Sequence, residues 1–103
     1  GDYMDALWRM QQLDAPIDLV VGSGVSHSVR DFCERAFGAA GLDYREHVVS
    51  DEGLLRPVDA TTLVADARLA HERLAWQPTV DFAALVEMMV FADLERVRSG
   101  AGV

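Results

Sequence analysis

The chain has 103 residues, half of them apolar, and its 17 acidic and nine basic side chains give a formal net charge of −8. This length supports one domain at most, and the acidic balance argues against nucleic acid or an anionic membrane surface as a partner. All nine basic residues are arginine, so the chain has no lysine for a Schiff base, for a phosphate-binding P-loop or for the Tyr-x-x-x-Lys pair of certain nicotinamide enzymes.

The sequence also limits compartment and membrane association. Its apolar runs are far shorter than the roughly 20 residues that a transmembrane helix needs. No charged-then-apolar leader opens the chain, and the single cysteine, Cys33, allows no internal disulfide. We therefore expect a cytoplasmic protein.

The first half of the chain predicts two helices with a short strand between them. Residues 2–13 place their apolar side chains mainly on one side of a helical wheel, and the β-prone run 17–21 is the predicted strand. The second helix follows the apolar i, i+3, i+4 pattern over residues 29–40. Ser28 is its expected N-cap, and Gly41 suits the position just after its end.

The second half predicts a short strand, a polar loop and two further helices, at residues 47–49, 50–59, 67–74 and 82–98 respectively. Asp66 and Asp81 are placed to cap the two helices. The fold class expected from the residues alone is therefore helix-rich α+β with short strands, which need a neighbour to complete a sheet. We expect residues 1–98 to form one segment and residues 99–103 to fray.

Two short motifs invite comparison with ligand sites. The glycine turn Gly22-Ser23-Gly24 follows the predicted strand, but His27 occupies the place of the third glycine of a dinucleotide-binding loop. A turn that needs a positive φ is the favoured interpretation. The following Ser26-His27-Ser28 could hold an anion at a helix N-terminus, although capping by Ser28 is favoured.

Several other side chains are candidates for chemistry, and each has a structural interpretation. The three histidines are about 20 residues apart, without the spacing of metal ligands: His27, His47 and His71. Cys33 falls on the apolar stripe of its helix and is expected in the core. Asp93 lies on the apolar side of the last helix, so we expect an arginine or a helix end against it. Arg56 lies in a loop beside a proline, where it is either a solvated side chain or a phosphate ligand, and the first is favoured.

Five motifs, the last of them in two parts, carry a resemblance that covers nearly all of residues 1–98: Asp2–Trp8, Gly24–Phe32, Leu55-Arg56-Pro57, Leu74–Pro78, and Leu85–Met89 with Asp93–Glu95. Read in order, these five family motifs resemble the C-terminal part of GDP-mannose 4,6-dehydratase, an extended short-chain dehydrogenase/reductase. The resemblance implies an α/β, NAD(P)-binding Rossmann-like fold for the intact protein.

The resemblance also implies a division of labour between two parts of the enzyme. In that family an N-terminal Rossmann domain, absent from this chain, binds NADP and carries the catalytic residues. Residues 1–98 correspond to the part that closes over the substrate, so this chain would hold no cofactor and no catalytic residue. Arg56 would contact the diphosphate of GDP-mannose, and Asp59 occupies a position associated with the nucleoside.

Four positions depart from the family pattern. Val25 replaces an acid, Asp59 replaces a glutamate, Thr61 replaces another acid, and Ala75 replaces a glycine. These changes affect the substrate contacts more than the fold. An alanine at the left-handed cap expected at position 75 would be strained by roughly 1 kcal/mol.

Two functions follow as hypotheses. In the first, the chain is the substrate-binding part of a GDP-mannose 4,6-dehydratase and is not catalytic alone. In the second, it is a degenerate remnant that acts in protein interaction or self-association, through helix 82–98 or exposed strand edges. Either way, we expect exposed apolar side chains at Met4 and Trp8, which the missing Rossmann portion would cover.

Overall fold

The computed structural model describes residues 1–58 and 62–100 of the chain. This part of the chain contains four α-helices, which we number in chain order: α1, Asp2–Gln11; α2, Val29–Ala39; α3, Arg68–Leu74; and α4, Phe82–Arg98. Two single 3₁₀ turns lie between α2 and α3, at Tyr44–Glu46 and Glu52–Leu54. The four helices predicted from the sequence are confirmed, with shifts of one or two residues at some ends.

The two predicted strands are wrong for the described residues, which contain no strand. In residues 17–21, half-buried side chains at 17, 19 and 21 alternate with exposed ones, but no neighbouring strand completes a ladder. In residues 47–49 the backbone instead closes a turn, because the Val48 N–H donates to the Tyr44 carbonyl at 2.9 Å. The helix-rich part of the predicted fold class is confirmed, whereas its short strands are not.

The chain divides into two compact units. Unit 1 comprises Gly1–Ser26 and Thr61–Asp81, and unit 2 comprises His27–Ala60 and Phe82–Val103. Each unit has its own pair of helices, since α1 packs on α3 in unit 1 and α2 packs on α4 in unit 2.

The core of unit 1 forms around Trp76, which is only 1% exposed. Ala6 of α1 and the two α3 residues Ala70 and Leu74 complete the buried cluster. Small side chains at positions 6 and 70 let the two helices approach the indole closely.

Arg9 ties the end of α3 to α1. Its Nη1 donates to the carbonyl oxygens of Leu74 and Ala75, at 3.0 and 3.2 Å, while its Nε pairs with Asp5 at 3.1 Å. A cation at these carbonyls satisfies acceptors that the helix leaves unpaired and opposes the negative end of its dipole.

Unit 2 is built on the contact between α2 and α4. Val86 of α4 is fully buried, whereas α2 has no fully buried residue. Cys33 is therefore half-buried, and the prediction that it belongs to the core is wrong because the cover on α2 is thin.

Both predicted ends of α2 are confirmed. The Ser28 hydroxyl accepts the Asp31 N–H at 3.0 Å, which caps the first turn. At the other end Gly41 has φ +75°, and the N–H groups of Gly41 and Leu42 donate to the carbonyls of Gly38 and Phe37 at 3.0 and 2.8 Å. This pair of hydrogen bonds is a Schellman motif, which only a residue tolerant of positive φ closes without strain.

The caps of the later helices were predicted less well. Asp66 accepts the Arg68 N–H at 3.2 Å, but α3 begins one residue later than predicted, and the capping position is held by Ala67. The capping of α4 by Asp81 stays a prediction. At the C-terminal end of α4, the Ser99 N–H still donates to the Glu95 carbonyl at 2.9 Å, and residues 101–103 of the tail lie outside the described residues.

Ala75 closes α3 in the left-handed conformation, with φ 52° and ψ 32°. The positive φ predicted for this position is confirmed. We expect Ala75→Gly to raise the free energy of unfolding by about 0.5–1 kcal/mol, because glycine adopts this conformation without the clash of a Cβ. Urea denaturation followed by circular dichroism measures the change, and an unchanged or lower midpoint would contradict the strain.

Candidate functional site

The glycine turn of unit 1 is shaped by close packing. Gly24 has φ +78°, so the predicted positive φ is confirmed at this residue. Gly22 is buried, and a Cβ added there would lie 2.5 Å from the Cβ of Ala65. The first glycine therefore serves the approach of residues 64–66 of the same chain.

A cleft of about 530 Å³ opens beside this turn in unit 1. Its lining includes the glycine turn, Ala65–Arg68, His71, Trp76 and Gln77. Two of its polar pairs are internal, since Arg68 donates to Asp66 at 2.6 Å and the Gln77 amide lies 3.2 Å from His71 Nδ1. The cleft therefore presents polar groups that already bind one another, around an apolar wall.

Asp2 clamps residues 76–80 to the start of α1. Its carboxylate accepts the Thr79 hydroxyl at 2.7 Å and the N–H groups of Thr79 and Val80 at 2.9 and 3.1 Å. Its carbonyl accepts the indole N–H of Trp76 at 2.9 Å. The hydroxyl of Thr79, followed by the two backbone N–H groups, lowers the pKa of Asp2, because all three donors favour the charged carboxylate.

Sequence reasoning missed this clamp. Nothing in the local sequence shows that an acid at position 2 meets residues 76–80. Asp2–Trp8 and Leu74–Pro78 are two of the five family motifs, and the Asp2 clamp is the physical contact that joins them. A search for donors that follow the Trp-x-Pro pattern could have suggested it.

In unit 2, His27 is a packing and hydrogen-bonding residue. Its ring stacks on Phe82 with centroids 3.8 Å apart and planes 7° apart. Its Nδ1 lies 2.9 Å from an oxygen of Asp31, which also pairs with Arg35 at 3.4 Å. The hydrogen bond with His27 and, to a smaller extent, the positive charge of Arg35 lower the pKa of the Asp31 carboxyl. Of the motif Ser26-His27-Ser28, Ser28 therefore caps α2 and His27 packs on α4.

The remaining histidines and Asp93 have partners of their own. His47 stacks on Phe37 with centroids 5.3 Å apart. Among residues 1–58 and 62–100, no group of three His, Cys, Asp or Glu side chains is placed to hold a metal ion. Asp93 pairs with Arg96 at 2.8 Å, which confirms the predicted arginine, but the carboxylate is exposed. The expected position of Asp93 on the apolar, packed side of α4 is therefore wrong, because its side chain is exposed.

Arg56 is an exposed residue that follows the second 3₁₀ turn. The Asp51 carboxylate caps this turn by accepting the Gly53 N–H at 2.9 Å, which fixes the backbone just before the Leu55-Arg56-Pro57 motif. Asp59 and Thr61 lie outside the described residues. The two predicted substrate contacts, Arg56 and Asp59, therefore stay predictions.

Comparison with known proteins decides the family. The family model for GDP-mannose 4,6 dehydratase matches residues 1–89 of the chain. The chain belongs to the GDP-mannose 4,6-dehydratase family. The resemblance inferred from the five family motifs is thereby confirmed.

Curated relatives agree over most of this chain. GDP-mannose 4,6 dehydratase 1 of Arabidopsis thaliana is 44% identical over 95 residues, which cover 92% of this chain and 26% of the relative. The human GDP-mannose 4,6 dehydratase is 35% identical over 95% of this chain and 31% of its own length. The Vibrio cholerae GDP-mannose 4,6-dehydratase is 31% identical over 97% of this chain and 34% of its own length. The chain thus spans about a quarter to a third of these dehydratases.

Two departures from the family pattern lie within the described residues. Ala75 adopts the left-handed cap without a glycine, and Val25 is an exposed residue just after the glycine turn. Within the part of the chain that the structure describes, every helix is too short or too polar to span a bilayer.

The Asp2 clamp makes the stability of unit 1 depend on acid. Because the folded-state pKa of Asp2 is lowered, its contribution is fully present above the unfolded-state pKa, about 3.9, and is lost as the pH falls through the folded-state pKa. We expect Asp2→Asn to lower the free energy of unfolding at pH 7 and to flatten its decrease below about pH 5. Denaturation curves from pH 7 to pH 2 measure both effects.

Asp14→Asn is the matched control for this experiment, because Asp14 is an exposed acid in the same unit. Its acid dependence should match that of the unchanged protein. Equal pH profiles for Asp2→Asn and the unchanged protein would contradict the clamp.

The glycine turn gives a second prediction. Gly22→Ala should lower the free energy of unfolding by about 1–3 kcal/mol, since the new methyl group overlaps Ala65. Gly38→Ala is the control, because a Cβ there meets nothing within 4 Å and a helical alanine is favourable by about 0.5–1 kcal/mol. Thermal unfolding of both variants tests the close packing, and two shifts of the same sign would count against it.

Proposed function

We propose that this chain is the substrate-binding part of a GDP-mannose 4,6-dehydratase and holds the nucleotide sugar through Arg56 and Asp59. The observation that carries the proposal is the family match over residues 1–89, which spans both side chains. The intact enzyme would convert GDP-mannose to GDP-4-keto-6-deoxymannose in the cytoplasm as a lyase. It would oxidise C4 of the hexose, eliminate water across C5 and C6, and return the hydride to C6.

The residues of this chain do not fit NADP, the cofactor implied for the intact enzyme. His27 stands where the third glycine of a dinucleotide loop would be, and the space beside Gly22 is filled by Ala65. The chain also has no lysine to pair with a catalytic tyrosine. The Rossmann-like portion of an α/β enzyme would supply cofactor binding and proton transfer, and residues 1–98 would supply substrate positioning.

Arg56 is suited to the diphosphate by its chemistry. A guanidinium presents its N–H donors in a planar fork that matches two phosphate oxygens at once. In a chain with a net charge of −8, a diphosphate needs such a local cation to approach the surface. Asp59 would accept hydrogen bonds from the nucleoside with a carboxylate one methylene shorter than the family's glutamate.

The exposed face of α1 supports the need for a second portion. Tyr3, Met4, Leu7 and Trp8 are all more than half exposed, and Trp8 reaches 63%. The predicted exposure of Met4 and Trp8 is thereby confirmed. We assign this face to contact with the Rossmann-like portion, since contiguous apolar surface marks an interaction site. The same exposure supports the alternative, a remnant that retains only an interaction role.

Calorimetric titration with GDP-mannose, GDP and UDP-glucose tests the proposal. We expect the two guanosine ligands to bind and UDP-glucose to bind more weakly. Arg56→Ala should weaken binding about tenfold or more, because a charge-assisted hydrogen bond contributes about 1.5–3 kcal/mol. Asp59→Glu should strengthen it by restoring the family's reach.

Arg73→Ala is the matched control, since it removes the same charge from an exposed position outside the five family motifs. Equal losses for Arg73→Ala and Arg56→Ala would reduce the effect to net charge. If the chain binds none of the ligands at millimolar concentration, alone or mixed with the N-terminal portion of the Arabidopsis relative, the interaction role replaces the binding role.

A further inference from the structure

The segment that carries Arg56 has little packing of its own. Every residue from 45 to 58 is exposed, and the second 3₁₀ turn, Glu52–Leu54, packs on no other helix or turn among the described residues. Leu55 is 73% exposed, so its apolar side chain does not anchor the segment. We call residues 49–58 the Arg56 arm. On its N-terminal side, the position of this arm depends on the contacts made by the residues just before it.

His47 makes the ring contact that lies nearest to the arm on this side. Its imidazole stacks on Phe37 of α2, with ring centroids 5.3 Å apart and planes only 2° apart, which is an offset parallel pair of the kind that aromatic rings favour. Phe37 is half-buried, and its carbonyl accepts the Leu42 N–H at 2.8 Å at the closed end of α2. The stack therefore joins the chain just before the arm to an ordered part of unit 2.

The backbone around His47 is closed by hydrogen bonds. The N–H groups of His47 and Val48 both donate to the Tyr44 carbonyl, at 3.0 and 2.9 Å. The Asp43 carboxylate caps the same turn by accepting the Arg45 N–H at 3.0 Å. A turn closed in this way transmits the position of the imidazole ring to the residues that follow it.

We propose that His47 is a positioning residue for Arg56, because its stack on Phe37 sets where the Arg56 arm begins. This inference rests on the proposed role of Arg56 in holding the diphosphate. Asp51, which caps the turn within the arm, carries the order on towards Arg56. An arm that is ordered before the ligand arrives loses less conformational entropy on binding, so the affinity depends on a residue that need not touch the ligand.

Relaxation measurements on the ligand-free chain test the positioning. Nitrogen–proton heteronuclear NOE values report the order of the backbone on the picosecond to nanosecond timescale. We expect His47→Ala to lower these values at residues 49–55 and His47→Phe to preserve them, since a phenyl ring restores the stack without the ring nitrogens. His71→Ala is the matched control, because His71 is an exposed histidine of unit 1 that lies beside Gln77. Unchanged arm values in His47→Ala, or an equal loss in the control, would overturn the proposal.

Calorimetric titration with GDP-mannose tests whether the effect acts through Arg56. His47→Ala should weaken binding about three- to tenfold, in line with what an aromatic pair contributes, and His47→Phe should restore it. In an Arg56→Ala background, His47→Ala should cause no further loss, because the group that it positions is gone. An equal additional loss in that background would overturn the proposal.

The two measurements separate this inference from the proposed function. Helicity measured by circular dichroism confirms that each variant is folded. If the unchanged chain does not bind GDP-mannose, the proposed function fails, and the relaxation result alone decides whether His47 positions the Arg56 arm.

Discussion

The four hydrogen bonds that Asp2 accepts set the arrangement of unit 1. Three reach its carboxylate from Thr79 and Val80, and one reaches its carbonyl from the indole of Trp76. The indole lies in the core, where an N–H without an acceptor would cost about 1–3 kcal/mol. Asp2 thereby lets the largest core side chain be buried and holds the chain that leads towards α4. Just before Trp76, the left-handed Ala75 ends α3, and Arg9 donates to the carbonyls of Leu74 and Ala75.

The sequence predicted most of what depends on short-range patterns. The four helices follow apolar periodicity, and the ends of α2 follow from Ser28 and Gly41, whose roles are local. The strands failed because a β ladder needs a neighbour that apolar alternation alone does not supply, and residues 17–21 retain the alternation without the ladder. The Asp2 clamp joins residues more than 70 positions apart, so no local rule indicates it.

The candidate site residues also differ in how far local sequence could predict them. Only the family resemblance indicated Arg56 and Asp59 as substrate contacts, whereas the local sequence alone favoured a solvated Arg56. Geometry instead explains the residues that looked most suggestive: His27 stacks on Phe82, Ser28 caps α2, and Gly22 makes room for Ala65. With these structural roles accounted for, the Leu55-Arg56-Pro57 loop is the feature to which we assign substrate binding. This assignment follows the proposal that the chain contributes substrate binding and that another portion of the intact enzyme carries the bond chemistry.

The most direct test of this assignment observes the Arg56 guanidinium itself. Nitrogen–proton correlation spectra that resolve the arginine Nε–H signals would be recorded while GDP-mannose is added to the labelled chain. The account predicts that the Arg56 signal moves with saturable dependence on GDP-mannose or GDP and stays fixed with mannose alone. An unmoved Arg56 signal, while signals from residues lining the cleft of unit 1 shift, would contradict the account.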